Sequence, residues 1–199
     1  MCSSDLDIRE ISKFLHDNDI LLVEDASGAI GDDKLADGGY CDIIIGSTGS
    51  PKIVNVEDGG FITTSMEEVL DKSGLLFKSF KTSGITACGI ASELDFAGEN
   101  LKRTIDATMH VKEGLSGSFN VFHKDKRGIN VIVKSDDAKK LAYELRRELS
   151  LDVHGMITRC PNYNRLKEKA VAIEIKNLDI SCLEKDNLDE MISIIEKYQ

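Results

Sequence analysis

The sequence predicts an α/β fold, a parallel-rich sheet with helices, joined to a small α+β C-terminal domain. Three observations carry this: continuous apolar runs that end in acidic or small residues, helix-period segments beside them, and a change of element order after a cluster of small residues at 114–118. The expected division is 1–115 for the first part, including the helices that lead out of it, and 116–199 for the second.

Ile8, Ile11, Phe14 and Leu15 recur at helical spacing, Asn18 and Asp19 break the pattern, and the apolar run 20–23 follows. The chain therefore opens as helix, tight turn and buried strand. That strand ends in Glu24 and Asp25, and a second buried strand, 42–45, runs into Gly46, Ser47, Thr48, Gly49, Ser50 and Pro51. Uninterrupted apolar strands beside helices predict a parallel sheet covered on both faces. Such sheets bind ligands at the carboxyl ends of their strands, where Asp25 and Ser47 stand. Gly59 and Gly60 turn the chain into a strand at 61–64, after which Ser65 offers an N-cap, and Glu68 the capping-box acid, for a helix over 66–72. From 86 to 113 the pattern is helical, and Gly89, Gly98 and Gly114 are expected to break it into pieces. Past residue 118, strands at 119–123 and 129–133 flank a turn at 124–128, and Ser135 caps a helix reaching 149. Strands near 152–158 and 169–176 precede a last helix over about 186–197, and the second sheet is expected to be antiparallel.

Of 199 residues, 41% are hydrophobic and 30% charged, which supplies a real core. Thirty-five acidic against twenty-five basic side chains leave a net charge of −10, and this opposes the counterion release that drives nucleic-acid binding. No nucleic-acid partner is expected. No apolar run approaches the length of a membrane helix and the N-terminus lacks the layout of a signal peptide, so a cytoplasmic protein without membrane attachment is expected. Cys2, Cys41, Cys88, Cys160 and Cys182 are odd in number and scattered, with no CxxC pair, which fits reduced thiols. His16, His110, His123 and His154 have no partner at metal-ligand spacing, so no metal site is expected.

The chemistry concentrates between residues 25 and 60. A lysine that condenses with an aldehyde cofactor needs a phosphate cradle beside it and a carboxylate that keeps a ring nitrogen protonated. Ser47, Thr48 and Ser50 offer hydroxyls and backbone amides at a strand end, the ingredients of a phosphate nest. Lys52 follows two residues later, Gly59 and Gly60 let the chain turn back close beneath it, and Asp25 ends the neighbouring strand twenty-seven positions earlier. Singly, such an aspartate is a cap or turn former and such a lysine a solvated loop residue. Their order and spacing together carry the reading. The stretch 46–52 is not a nucleotide P-loop, because it lacks G-x-x-x-x-G-K-[ST] and Ile53 stands where the magnesium-binding hydroxyl belongs.

Val23-Glu24-Asp25-Ala26 followed by Gly31, then Asp42, Ser47 five residues before Lys52, and Gly59-Gly60 seven and eight after it resemble the core motif of the DegT/DnrJ/EryC1/StrS aminotransferases. That motif reads, in outline, E-D-A, G, G-D, S-x-x-x-x-K and G-E-G-G. The similarity covers residues 8–65 well and the rest in architecture only. Residues 25–29, Asp-Ala-Ser-Gly-Ala, also resemble archaeal selenocysteine-synthase-like pyridoxal-phosphate proteins, which leaves the subfamily open. The resemblance implies a fold-type I transferase that uses pyridoxal 5′-phosphate, with Lys52 as the Schiff-base lysine, Asp25 on the pyridine nitrogen and Ser47 on the phosphate. Ala26 and Thr48 complete the implied cofactor-binding set. It further implies transamination between a small-molecule amino donor and acceptor in a homodimer. Arg159 and Arg165, flanking Cys160-Pro161-Asn162-Tyr163, are the candidates for holding a substrate carboxylate.

Departures from the motif bear on the substrate. Asp58 stands where the family has its glutamate, Glu57 occupies a glycine position, and Gly28 replaces a larger polar residue, which argues against a standard sugar-amine substrate. A desulfurase or selenotransferase-like reaction and a non-catalytic module of the same fold are the alternatives. Fold-type I large domains begin well before the strand that ends at Asp25, and only twenty-four residues precede it here. The resemblance therefore implies that the first part of the large domain lies outside this sequence, leaving apolar sheet surface open and cofactor binding weak or absent in the chain as it stands. Residues 1–6 also read as the translated end of a sequencing adapter, GTG-TGC-TCT-TCC-GAT-CT, which would place the join to the natural reading frame near Leu6 or Asp7.

Overall fold

The computed structural model describes residues 7–36, 38–151, 155–160 and 167–199. Contacts divide the chain into two compact units that meet in sequence between Leu101 and Lys102.

In the N-terminal unit, helix α1 (Ile8–His16) starts at Asp7, whose carboxylate accepts the amides of Arg9 at 3.0 Å and Glu10 at 3.3 Å. Asn18 donates its side-chain amide to the Phe14 carbonyl and Asp19 takes a left-handed φ of 56°, which reverses the chain. Strands β1 (Val23–Asp25), β2 (Ile43–Ser47) and β3 (Gly60–Thr64) lie in the order β1-β2-β3. β1 runs parallel to β2, with Asp25 opposite Ile45, while β3 returns antiparallel, with Ile62 opposite Ile45 and Gly60 opposite Ser47. The sheet is therefore mixed.

Among the described residues only one of its faces is covered. On that face Ile44 is buried and Phe61, lying across Gly46, packs on Ile30, Val54 and Ala97. The other face presents Val23 (50% exposed), Ile45 (36%) and Ile62 (45%) to solvent. The expected buried strand at 20–23 is thus corrected: Ile20 and Leu21 are also exposed, and the ladder begins only at Val23. Asp42 explains the late start. Its carboxylate accepts the Leu22 amide at 2.7 Å, and its own amide donates to the Leu22 carbonyl, closing a side-chain-to-backbone ring before regular pairing begins.

Helices α2 (Glu67–Ser79), α3 (Gly84–Leu94) and α4 (Ala97–Leu115) follow. The expected capping box is not formed. The Met66 amide donates to Thr64 Oγ1 at 3.1 Å instead, and Glu68 pairs with Lys72 one turn on. Nor do Gly89, Gly98 and Gly114 break the helices. A Cβ on Gly89 would come within 3.1 Å of Val56 and one on Gly114 within 2.6 Å of Ile192, so these two positions are small because of what packs against them. The interruption falls at Asp95 and Phe96.

The C-terminal unit takes up the second part of α4 and continues through β4 (Val131–Lys134), α5 (Ala138–Glu148), β5 (Ile157–Arg159), β6 (Ala170–Ile173), two 3-10 turns (Ile175–Asn177 and Ile180–Cys182) and α6 (Lys185–Glu196). Its sheet has the order β4-β6-β5 and is antiparallel, as expected. The inward sides of the strands, Val131, Val133, Val171 and Ile173, pack on Val111 and Leu115 of α4, Leu141 and Leu145 of α5, and Met191 and Ile195 of α6. The expected strand at 119–123 is reduced to one bridge between Val121 and Val133. The turn beyond it is held by a side chain: buried Lys112 donates to the carbonyls of His123 at 3.0 Å and Lys126 at 2.7 Å. Asp137, not Ser135, caps α5, accepting the Lys140 amide at 3.0 Å. Residues 152–154 of the expected strand near 152–158 lie outside the described residues. Among the described residues Cys41, Cys88, Cys160 and Cys182 form no disulfide, and no helix is long and apolar enough to cross a membrane.

Candidate functional site

The parallel pairing of β1 and β2 brings the carboxyl ends of both strands to one edge of the sheet. Asp25 ends β1 opposite Ile45, and Ser47 ends β2 two residues further on. Ladder bonding persists one residue past β1, where the Ala26 amide donates to the Ile45 carbonyl at 2.8 Å and Ala26 itself is buried. The chain then turns: the Ala26 carbonyl is drawn into the turn and accepts the Ala29 amide at 2.8 Å.

Ser27 reconnects what the turn separates. Its amide donates to Asp25 Oδ1 at 3.1 Å, and its hydroxyl oxygen accepts the Ser47 amide at 3.0 Å. One residue thereby ties the Asp25 carboxylate to the end of β2. Glu24, its side chain alternating away from that of Asp25 along the strand, holds the following loop: its carboxylate accepts the Ala36 amide at 2.9 Å and the Cys41 thiol at 3.4 Å.

Beyond Ser47 the loop is knitted by its own backbone. Ser47 Oγ accepts the Gly49 amide at 3.4 Å, the Thr48 amide donates to the Gly59 carbonyl at 3.2 Å, and the Val56 amide donates to the Thr48 carbonyl at 2.9 Å. Thr48, fully buried, gives its hydroxyl proton to the Asp58 carbonyl at 2.8 Å. Of the residues offered by the sequence as a phosphate nest, Ser47, Thr48 and Ser50, the first two therefore have their amides engaged within the protein, as has Gly49 between them. The Ser47 hydroxyl accepts the Gly49 amide and has no acceptor for its own proton among the described residues.

The loop continues through a cis Ser50–Pro51 bond to Lys52, which is half-buried, while the next residues, Ile53 and Val54, are buried. Val54 belongs to the cluster with Ile30 and Ala97, so the backbone next to Lys52 is anchored in the core. Its ammonium has no hydrogen-bond or ion-pair partner among the described residues. The return to β3 depends on glycine. Gly59 has a φ of 78°, and a Cβ on Gly60 would lie 2.5 Å from the Gly46 carbonyl oxygen. Glu57, in the position where the motif has glycine, does adopt a left-handed φ of 65°, supported by its amide bond to Asn55 Oδ1 at 3.0 Å.

Asp25, Ala26, Ser47, Thr48 and Lys52 are thus gathered on two adjacent strand ends and the loop that leaves one of them. Arg159 is half-buried on β5 of the C-terminal unit, opposite Val171, and Arg165 lies outside the described residues. Ser27 is the site residue that the sequence reading passed over. Its signal was the Asp-x-Ser order immediately after a strand, a pattern in which short polar side chains bond back to nearby backbone.

Comparison with known proteins locates the fold. A family model described as the MJ1341 family C-terminal domain matches residues 98–196. No curated protein matches the sequence. Among solved structures, Helicobacter pylori PseC, an aminotransferase involved in the biosynthesis of pseudoaminic acid, matches with a TM-score of 0.72 at 13% identity, over 98% of this chain and 64% of its own. A DegT DnrJ EryC1 StrS aminotransferase from Brucella abortus matches at 0.69 and 15% identity, over 97% and 61%. Spr1654 from Streptococcus pneumoniae, assigned as a sugar aminotransferase and solved in its PLP-form, matches at 0.67 and 13% identity, over 98% and 66%. The chain has the fold of these aminotransferases and spans 61–66% of their length.

Proposed function

We propose that this chain carries the lysine-bearing part of a pyridoxal-phosphate-dependent, aminotransferase-type enzyme. The observation that supports it most is the parallel β1–β2 pairing, which sets Asp25 and Ser47 at one sheet edge and leads directly into the loop of half-buried Lys52, whose ammonium has no partner among the described residues. The donor set fits the cofactor's chemistry. Asp25 is an exposed carboxylate suited to a protonated ring nitrogen, Ser47 has a hydroxyl proton to give to a phosphate oxygen, and Lys52 has an amine suited to an aldehyde carbon. When bound, the cofactor supplies the electron sink for reactions at an amine-bearing carbon.

In this reading each protein group has one task. Asp25, held through Oδ1 by the Ser27 amide, keeps the ring nitrogen protonated. Lys52 would hold the aldehyde carbon of the cofactor and supply the amine that moves a proton as general base and acid. Thr48 acts from within, fixing the loop through Asp58. Ala26 keeps the end of β1 close-packed. A small-molecule amino donor and acceptor, a homodimeric parent and a cytoplasmic setting belong to the same proposal.

The test is to incubate the purified chain with millimolar pyridoxal phosphate, reduce with borohydride and map the modified lysines by mass spectrometry. Lys52 is expected to take the label ahead of the exposed lysines, and Asp25→Ala to abolish that preference. Labelling spread evenly over the lysines of the wild-type chain would overturn the reading.

A further inference from the structure

We propose that Ser27 is a positioning residue that sets the spacing between the Asp25 carboxylate and the Ser47 hydroxyl. The inference rests on the function proposed above, because that reading gives Asp25 and Ser47 their roles.

Its physical basis is a substitution of one acceptor for another. In a parallel ladder the amide two residues beyond Ile45 would find a backbone carbonyl on β1. That carbonyl, on Ala26, is already turned away to accept the Ala29 amide at 2.8 Å. Without a replacement the Ser47 amide would end the ladder unpaired, and the β2 end would be free to move relative to Asp25. Ser27 Oγ is the replacement, at 3.0 Å. The same residue's amide fixes Asp25 Oδ1 at 3.1 Å. The carboxylate and the serine hydroxyl are therefore linked through one half-buried residue instead of through two independent turns. A cofactor bound at both its ring nitrogen and its phosphate requires that distance to be fixed before it arrives.

Ser27→Ala isolates the link, since it removes the hydroxyl and leaves the amide bond to Asp25 in place. Ser27→Thr restores the hydroxyl. Two readouts apply to the full chain. Without cofactor, residue-resolved hydrogen exchange by NMR is expected to show the Ser47 amide exchanging about fivefold faster in Ser27→Ala, the loss of one ordinary hydrogen bond. With pyridoxal phosphate and borohydride, the share of label on Lys52 is expected to fall about fivefold towards that of the exposed lysines. Ser27→Thr is expected to restore both. An unchanged Ser47 exchange rate, or a faster one with the Lys52 share intact, would overturn the proposal. Absence of any Lys52 preference in the wild-type chain would remove the functional reading and this proposal with it, and the wild-type control separates that outcome from the other two.

Discussion

Replacing Gly31 with alanine tests whether the turn after Asp25 is set by close contact with α4. Gly31 has a φ of 89°, and a Cβ built there lies 2.6 Å from the Ala97 carbonyl carbon, 2.6 Å from the Gly98 nitrogen and 2.8 Å from the Ala97 oxygen. All three are backbone atoms at the start of α4, so relief requires moving the helix or the turn. The left-handed conformation costs a non-glycine residue about 1–2 kcal/mol, and forcing extra volume into a packed contact costs about 1–3 kcal/mol more. A loss of about 2–5 kcal/mol is expected, a large share of the stability of a unit this size. Gly98→Ala is the control. Its Cβ would meet only the Gly31 oxygen, at 3.4 Å, within ordinary helical backbone, so it should be neutral or stabilising by about 0.5–1 kcal/mol. Hydrogen exchange at the β2 amides, read as opening free energies, measures both within the N-terminal unit. If Gly31→Ala changes those values by less than about 0.5 kcal/mol, or if the two variants behave alike, the contact does not set the turn.

Other consequences follow from the same kind of argument. Lys176 pairs with the buried carboxylate of Glu174 and donates to Asn130 Oδ1 at 3.3 Å. Lys176→Met should cost about 3–5 kcal/mol in urea unfolding by stranding that carboxylate, whereas Glu174→Leu with Lys176→Met should return to within about 1 kcal/mol of wild type. The His16 imidazole, donating to Asp42 at 2.9 Å, and then the Leu22 amide hold the Asp42 carboxyl below the ordinary carboxylate range. A depressed folded-state pKa gives stability that is present above the unfolded value and lost as pH falls through the folded one, so acid titration of strand exchange below about pH 4 should be steeper in wild type than in Asp42→Asn. On the open sheet face, Ile62→Lys should change stability by less than about 0.5 kcal/mol while reducing binding of the dye ANS. Unchanged dye binding would show that the open face does not recruit it.

The sequence made the order of elements legible because apolar runs and glycine turns are local signals. What it could not convey was which neighbours each element meets. The run at 20–23 has the composition of a buried strand, yet Val23, Ile45 and Ile62 share a face that no described element covers, because composition records an appetite for burial and not its satisfaction. Gly89 and Gly114 look like helix breakers in one dimension, and only the approach of Val56 and Ile192 explains them. The small-residue cluster at 114–118 marked a boundary, whereas contacts divide the chain at Leu101 and Lys102, since Ala107, Val111 and Leu115 of a continuous helix belong to the C-terminal core. At the candidate site, the carboxylate, the serines and the lysine were readable from spacing. The use made of their backbone amides was not, for that depends on where β3 and the Ala26 turn return.

On the proposed function, the engaged amides decide where affinity for a cofactor phosphate would come from. The amides of Ser47, Thr48 and Gly49 donate to Ser27 Oγ, the Gly59 carbonyl and Ser47 Oγ, so they cannot also cradle an anion without breaking the loop. The Thr48 hydroxyl is likewise committed to the Asp58 carbonyl. Among the donors of residues 47–49, the Ser47 hydroxyl keeps a proton that those contacts do not consume. A charge-assisted hydrogen bond to phosphate contributes about 1.5–3 kcal/mol, and each 1.4 kcal/mol is about tenfold in affinity. Ser47→Ala should therefore raise the pyridoxal phosphate concentration needed for half-labelling of Lys52 by about 10- to 100-fold. Thr48→Val, which removes only the bond to Asp58, should lower loop stability with a much smaller effect on that concentration. If Ser47→Ala is labelled at wild-type concentrations while Thr48→Val is not, the phosphate is held by rearranged backbone, and the arrangement of donors described here is not the binding one.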